Sequence, residues 1–165
     1  MKRPDIADRK IPGNWEGDLI IGQDGASACA TLVERTTRYL IIVALPLGRK
    51  ADQVCDALTR RIQGLPDQAM RTLTWDQGRE MARHQRLTHD TGVEVFFAHP
   101  HSPWERGTNE NTNRLIRRYL PKGTPITSHQ PYLDAIAYEL NNCPRATLGY
   151  RTPTEAFNEL IATTH

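Results

Sequence analysis

Several features that would place a chain in a special class are scarce or missing here. Only three cysteines occur, Cys29, Cys55 and Cys143, and no two of them form a C-x-x-C pair. This spacing suggests neither a disulfide framework nor a structural zinc site. No basic or histidine neighbour marks a nucleophile, so we interpret all three as core residues. No apolar run approaches about eighteen residues, and the start MKRPDIADRK lacks the apolar core of a secretory signal. We therefore expect a cytoplasmic protein without a membrane partner.

Net charge is also small, because 21 Lys and Arg against 19 Asp and Glu leave +2. The total alone therefore does not predict a nucleic-acid partner. Lysine is rare, with 4 of the 21 basic residues, and the other 17 are arginine. Arginine suits bidentate phosphate contacts, although a codon usage rich in arginine produces the same bias.

The 165 residues, 38% of them hydrophobic, fit one domain of alternating strands and helices. Alternating and apolar runs predict five strands, at residues 15–21, 28–34, 39–45, 71–75 and 93–98. Helical spacing predicts a helix packed by Val54, Leu58 and Ile62, and further helices at about 80–88, at 108–120, around 133–140 and after a capping box at 152–155. Residues 1–13 lack periodicity and are interpreted as an arm or linker remnant, so that 14–165 form the core.

This order predicts an α/β fold of the ribonuclease-H type. The first three strands form an antiparallel meander, and two right-handed crossovers then add parallel strands. The expected sheet is mixed and five-stranded, in the order 3-2-1-4-5 with strand 2 antiparallel, and helices flank it. Strands 1 and 4 are neighbours in that arrangement.

Two aspartates are candidates for a functional site at this junction. Asp18 lies within an apolar strand, where a carboxylate is costly unless it is paired or binds a metal. Asp76 follows the fourth strand, at the sheet edge where open α/β sheets bind ligands. The ordinary alternatives are that Asp18 lies at an exposed strand end or bonds to a loop, and that Asp76 forms a turn.

The helix predicted at 108–120 supplies a third candidate. Its apolar side is expected to face the sheet, and its opposite side carries Glu110 together with Asn113, Arg114, Arg117 and Arg118. A carboxylate beside an arginine row suits a metal next to phosphates. The alternative is an ordinary Glu110–Arg114 ion pair. The histidine pairs 84/89 and 99/101 lack the spacing of a zinc site.

Long motifs in this chain resemble those of one family. They are IPGNWEGDLIIG at 11–22, TLVERTTR at 31–38, TLTWDQG at 72–78, HSPWERGTNENTNRL at 101–115, YLPKG at 119–123 and LGYRTP at 148–153. The sequence is similar to the catalytic domain of insertion-sequence-thirty (IS-thirty) bacterial transposases, which are related in fold to retroviral integrases. Two departures are Asn14, where the family usually has histidine, and His99, where it has an acidic residue.

The resemblance implies a catalytic and metal-binding triad of Asp18, Asp76 and Glu110, with 33 residues between the last two. Glu16 faces the same side of the strand as Asp18 and is the rival for its role. The implied cofactor is a pair of Mg²⁺ or Mn²⁺ ions. The resemblance also implies an amino-terminal helix-turn-helix region that this sequence does not contain.

The implied activity is metal-dependent DNA cleavage and strand transfer, on transposon ends and target DNA, by a homo-oligomer. Eight residues are predicted to contact DNA: Trp104, Arg106, Asn109, Asn113, Arg114, Arg117, Arg118 and Lys122. Trp104 is expected to stack on a base. Two alternatives stay open: a ribonuclease-H-like nuclease that only hydrolyses, and a non-catalytic transposase fragment that binds DNA or its full-length relative.

Overall fold

A single mixed sheet organises the chain. The computed structural model describes residues 12–75, 78–98 and 107–164. The five strands are β1 (Asn14–Ile21), β2 (Ala28–Glu34), β3 (Leu40–Ala44), β4 (Thr72–Trp75) and β5 (Glu94–Phe97). Their order is β3-β2-β1-β4-β5, and β2 runs in the opposite direction to the other four strands. The predicted sheet order and strand directions are confirmed.

The register between β1 and its two neighbours positions the site. Asp18 pairs with Thr31 across the antiparallel β1–β2 ladder. On its other side β1 pairs in parallel with β4, and this ladder ends with Gly17 beside Trp75. The carboxyl end of β4 therefore lies next to the middle of β1, as the sequence predicted.

Helices cover both faces of the sheet. They are α1 (Ala51–Gln63), α2 (His84–Thr91), α3 (Gly107–Ile116), α4 (Gln130–Asn141) and α5 (Pro153–Thr164). One apolar core joins the sheet to α1, α2 and α5 and contains both Trp15 and Trp75. A second core joins the opposite face to α3 and α4 through residues such as Ile20 and Ile116. Side chains alternate between these cores along each strand.

Helix α4 also protects the edge of the sheet at β3. The side-chain amide of Asn141 accepts a hydrogen bond from the Leu40 N–H and donates one to the Leu40 carbonyl, both at 2.9 Å. The Gln130 side-chain amide likewise accepts a hydrogen bond from the Ala44 N–H and donates one to the Ile42 carbonyl, both at 2.7 Å. These bonds satisfy backbone groups that an edge strand otherwise leaves open to pairing with another chain.

Two helix boundaries differ from prediction. The helix expected at 80–88 is a 3₁₀ turn at 79–81 followed by α2, which extends to Thr91 because Gly92 supplies a left-handed residue after it. Helix α3 ends at Ile116 rather than at 120. Beyond it the Arg118 and Tyr119 N–H groups bond three residues back, a tightening common in a last helical turn.

The ends and the cysteines complete the comparison with the sequence. The predicted capping box is present, since Thr152 and Glu155 each bond the other's backbone N–H, at 3.0 and 3.1 Å. Residues 1–11 of the predicted arm lie outside the described ranges. Cys29 and Cys55 are buried, but Cys143 is exposed, so the core assignment is wrong for Cys143. Among the described helices, none combines the length and apolarity needed to span a bilayer.

Candidate active site

Asp18 lies on the face of β1 that α3 covers, and two hydrogen bonds from described residues help to orient its half-buried carboxylate. The Leu19 backbone N–H donates to Oδ1 at 2.8 Å. The Asn113 side-chain amide donates to Oδ2 at 3.1 Å. Hydrogen bonds to a charged group stabilise by about 1.5–3 kcal/mol, so these contacts offset part of the cost of placing a carboxylate in an apolar strand.

Asn113 connects Asp18 to the neighbouring strand. Its Oδ1 accepts a hydrogen bond from the Thr31 hydroxyl at 3.3 Å. Thr31 is buried and is also the cross-strand partner of Asp18. Helix α3 is therefore attached to β1 and β2 by polar side chains at the level of Asp18. Thr31 was missed from the sequence, although the hairpin register places it directly opposite Asp18.

Glu16, the rival of Asp18, has a different environment. It lies on the same face of β1 but is completely buried. Its carboxylate pairs with the buried guanidinium of Arg35, with 3.4 Å between Oε2 and Nε. A buried ion pair keeps both charges compensated inside the protein. The structure therefore favours Asp18 over Glu16 as the carboxylate available to a ligand. The sequence did not reveal the Arg35 contact, which depends on long-range packing.

Glu110 occupies the first turn of α3, and its side chain is exposed. It precedes Asn113 by three residues, which places both on one side of the helix, about 4.5 Å apart along its axis. Because Asn113 contacts Asp18, it lies against β1 rather than opposite the sheet, so the predicted placement of Asn113 is wrong, whereas Glu110 is exposed. Arg114 donates a 2.5 Å hydrogen bond to Asn111 on the same helix.

The third predicted ligand, Asp76, lies outside the described residues. The residue before it, Trp75, ends β4 and is paired with Gly17, the residue before Asp18. The two motif segments that contain the predicted aspartates are therefore adjacent in the sheet up to this point.

The predicted DNA-contact residues have different settings. Arg118 and Lys122 are exposed. Arg117 is half-buried and donates to two backbone carbonyls, that of Leu120 at 3.2 Å and that of Ile21 at 3.4 Å. It therefore also ties the end of α3 to the end of β1. Trp104, Arg106 and the side chain of Asn109 lie outside the described part, as does His99.

Asn14 has a structural role. Its side chain is buried, and its Oδ1 accepts a 2.6 Å hydrogen bond from the Thr72 hydroxyl on β4. Its backbone carbonyl accepts from the Arg35 N–H at 2.9 Å. Asn14 thus joins the beginnings of β1 and β4, away from the end of β4 that approaches Asp18.

The chemistry of the described donors fits a hard divalent cation. Mg²⁺ and Mn²⁺ prefer carboxylate oxygens, and Asp18 and Glu110 present these from β1 and from α3. Within residues 12–75, 78–98 and 107–164, no group of three His, Cys, Asp or Glu side chains is close enough to hold a metal. Asp76 is not among those residues.

Comparison with known proteins identifies the family. The integrase core domain model matches residues 8–103. The chain belongs to the integrase core domain family. The enzyme class of that family is polynucleotidyl transferase, as the sequence predicted.

Curated relatives extend the match over nearly the whole chain. A transposase for insertion sequence element IS1086 from Cupriavidus metallidurans is 47% identical and covers 98% of this chain. Transposase InsI for insertion sequence element IS30A from Escherichia coli K12 is 49% identical over 96% of this chain. The resemblance to IS-thirty transposases is thereby confirmed. The chain spans about half the length of these relatives, 48% of the first and 41% of the second.

Solved structures support the fold. The crystal structure of the catalytic core domain of BIV integrase superposes with a TM-score of 0.69 and covers 92% of this chain and 97% of its own. Sequence identity is only 20%, so this likeness concerns the fold. It confirms the ribonuclease-H-like architecture predicted from the order of strands and helices.

Proposed function

We propose that this integrase core cleaves DNA strands and joins them to target DNA, with Asp18, Asp76 and Glu110 holding two Mg²⁺ or Mn²⁺ ions. One observation carries the proposal: the hydrogen bond between Asn113 and Asp18. It holds α3 against β1, and Glu110 lies on the same helix, three residues before Asn113.

Each carboxylate has a distinct structural support. Asp18 is held by the Leu19 N–H and by Asn113, which point its oxygens in a fixed direction. Glu110 is presented by α3, where the positive end of the helix dipole favours a negative charge in the first turn. Asp76 follows Trp75, which the β1–β4 ladder holds beside Gly17.

Bound divalent ions would supply the reactivity, since they would activate an attacking water or 3′-hydroxyl and stabilise charge on the leaving oxygen. The protein's part is to orient Asp18 and Glu110 and to present arginines to the phosphates. No covalent bond between protein and DNA is required.

DNA and a second copy of the chain are the proposed partners. Arg114 is exposed on α3 four residues after Glu110, and Arg118 and Lys122 are exposed just beyond the end of the helix, so this stretch offers cations to phosphates near the carboxylates. Trp104, Arg106, Asn109 and Arg117 complete the proposed contact set, whereas Asn113, also predicted to contact DNA, bonds to Asp18 instead. The active complex is proposed to be a homo-oligomer, which light scattering with and without DNA would test. Because the proposed substrate is bacterial DNA, we propose that the protein acts in the cytoplasm.

The test is a strand assay on end-labelled oligonucleotides with Mg²⁺ or Mn²⁺. Wild type is expected to cut DNA and to join a 3′-hydroxyl end to a second duplex, and Asp18→Asn is expected to do neither. The matched control is Asp90→Asn, an exposed aspartate on α2, across the sheet from α3. It should leave activity unchanged. Circular dichroism should show that all variants are folded.

The alternatives give different products. Cleaved but unjoined strands would identify a nuclease that only hydrolyses. DNA binding without metal-dependent cleavage would identify a non-catalytic fragment. Cleavage that survives Asp18→Asn would refute the proposed role of Asp18.

A further inference from the structure

Three polar side chains, Thr31, Asn113 and Asp18, form a line of hydrogen bonds at the proposed site. The Thr31 hydroxyl donates to Asn113 Oδ1 at 3.3 Å, and Asn113 Nδ2 donates to Asp18 Oδ2 at 3.1 Å. The line crosses from β2 to α3 and back to β1. It is half-buried at Asn113 and fully buried at Thr31.

The chemistry of these groups fixes their orientation. A carboxylate can only accept hydrogen bonds, so the amide must turn its NH₂ group towards Asp18. The amide oxygen then faces the Thr31 hydroxyl, which can donate to it. A flipped amide would place its oxygen against the Asp18 carboxylate and its NH₂ group against the hydroxyl, losing the bond to Asp18. Asp18 therefore selects this orientation of the Asn113 amide, and the Thr31 hydroxyl, which also lies 3.5 Å from the Asp18 backbone carbonyl, supports it by donating to Oδ1.

We infer that Asn113 is a positioning residue for Asp18, and that Thr31 acts through it. This inference rests on the proposed function, because it concerns the same carboxylate. It differs from the DNA contact predicted for Asn113 from the sequence. A carboxylate has about four acceptor sites, so bonds of this kind orient the group and are compatible with its use as a metal ligand. Partners that orient a ligand typically change metal affinity by about 10–100-fold when they are removed.

The first experiment measures Mn²⁺ binding directly, by counting free ions with electron paramagnetic resonance and without DNA. Asn113→Ala is expected to weaken Mn²⁺ binding by about tenfold or more. Asn111→Ala is the matched control, because Asn111 lies two residues away on the same helix and bonds to Arg114 instead. It should bind Mn²⁺ as wild type does. Unchanged binding by Asn113→Ala would overturn the inference.

Thr31 supplies a second, independent variant. Thr31→Val removes the hydroxyl while keeping a side chain of similar shape, and it should weaken Mn²⁺ binding in the same direction. Thr31→Ser restores the donor and should recover most of the affinity. In the Asn113→Ala background, Thr31→Val should have no further effect, since Thr31 would have lost the group through which it acts. Additive losses would show that Thr31 does not act through Asn113.

A strand assay and a DNA-binding measurement separate positioning from DNA contact. For Asn113→Ala the lost cleavage rate should return as Mn²⁺ is raised, while KM for DNA and metal-free DNA affinity stay unchanged. A drop in metal-free DNA affinity with normal Mn²⁺ binding would instead support the DNA contact. If Asp18→Asn keeps cleavage, the proposed function fails. If Asp18→Asn loses it but Asn113→Ala does not affect Mn²⁺ binding, only the inference fails.

Discussion

The Trp75 ring lies directly against Gly17 on the neighbouring strand. These residues are partners at the end of the β1–β4 ladder, and a Cβ added at Gly17 would overlap Cε3 and Cζ3 of the ring. Trp75 is fully buried, and its indole N–H donates to Glu80 at 3.4 Å. The glycine before Asp18 and the tryptophan before Asp76 are therefore fitted to each other, which explains both residue types in these motifs.

Gly17→Ala should destabilise the protein by about 1–3 kcal/mol, because the new methyl group overpacks the core against Trp75. The measurement is the free energy of unfolding in urea. Gly64→Ala is the matched control: Gly64 has φ −82°, and its added Cβ would make only ordinary contacts, the nearest at 3.5 Å. The control should be neutral or slightly stabilised. Equal effects at the two positions would contradict the account of Gly17.

Glu34 should make stability depend on pH. Burial raises the pKa of its carboxyl, while hydrogen bonds to Oε1 from the Thr37 and Thr36 N–H groups lower that pKa in part. The folded state therefore binds the proton more tightly than the unfolded state. The stabilisation from Glu34 is complete below the unfolded pKa of about 4.5 and is lost as pH rises through the raised folded value.

Glu34→Gln keeps the acceptor oxygen but removes the charge. The free energy of unfolding of Glu34→Gln should therefore increase relative to that of wild type as pH rises from about 4.5 towards neutrality. Glu34→Ala separates the two effects, since it also leaves the Thr36 and Thr37 N–H groups without their acceptor and should lose stability at every pH. Urea unfolding at several pH values gives both curves. A difference between Gln and wild type that does not vary with pH would refute this explanation.

Much of the fold follows from local pattern. The turn after Ile21 and the meander it begins give three antiparallel strands, and each later strand follows a helix, which favours parallel pairing through a crossover. Helix ends were less predictable. Helix α3 stops at Ile116, where its last turn tightens before Pro121 and the Leu120 carbonyl bonds to Arg117, a contact that the residue pattern does not show.

The candidate site was only partly predictable, for a physical reason. Alternation along β1 places Glu16 and Asp18 on one face but cannot rank them. Arg35 decides between them, since it pairs with Glu16, and this contact appears only when the turn after β2 packs against the sheet. In the same way, the helical pattern placed Asn113 on the polar side of α3, but its bond to Asp18 spans 95 positions in sequence.

The cysteines should differ in reactivity. Burial raises the pKa of the Cys29 thiol to about 12, so it stays protonated and unreactive at ordinary pH. Cys55 is also buried, whereas Cys143 is exposed. An aromatic disulfide reagent that releases a coloured thiolate can count reactive cysteines. At pH 8 it should modify one cysteine quickly in the folded protein and all three in denaturant. Cys143→Ser should abolish the fast reaction. A second fast thiol would show that β2 or α1 opens readily.

Arg117 and Arg118, which directly follow α3, should differ in how their replacement affects stability. Arg118 is exposed, so Arg118→Ala should lower the slope of log affinity against log salt by about one unit and leave stability unchanged. Arg117→Ala should also lower the free energy of unfolding, because Arg117 bonds to the Ile21 and Leu120 carbonyls. Arg60→Ala, at an exposed residue of α1 on the other face of the sheet, is the control and should change neither quantity.

The measurements are fluorescence anisotropy of a labelled duplex across salt concentrations and urea unfolding of each variant. An unchanged salt slope for Arg118→Ala would remove this end of α3 from the DNA interface. A changed slope for Arg60→Ala would place DNA on the α1 face instead. If Arg117→Ala loses stability with an unaltered slope, its guanidinium serves only to hold α3 against β1. Arg117 would then act on Glu110 only indirectly, by holding the helix. Among the described basic residues from 107 to 122, only Arg114, Arg118 and Lys122 would remain to bind phosphates.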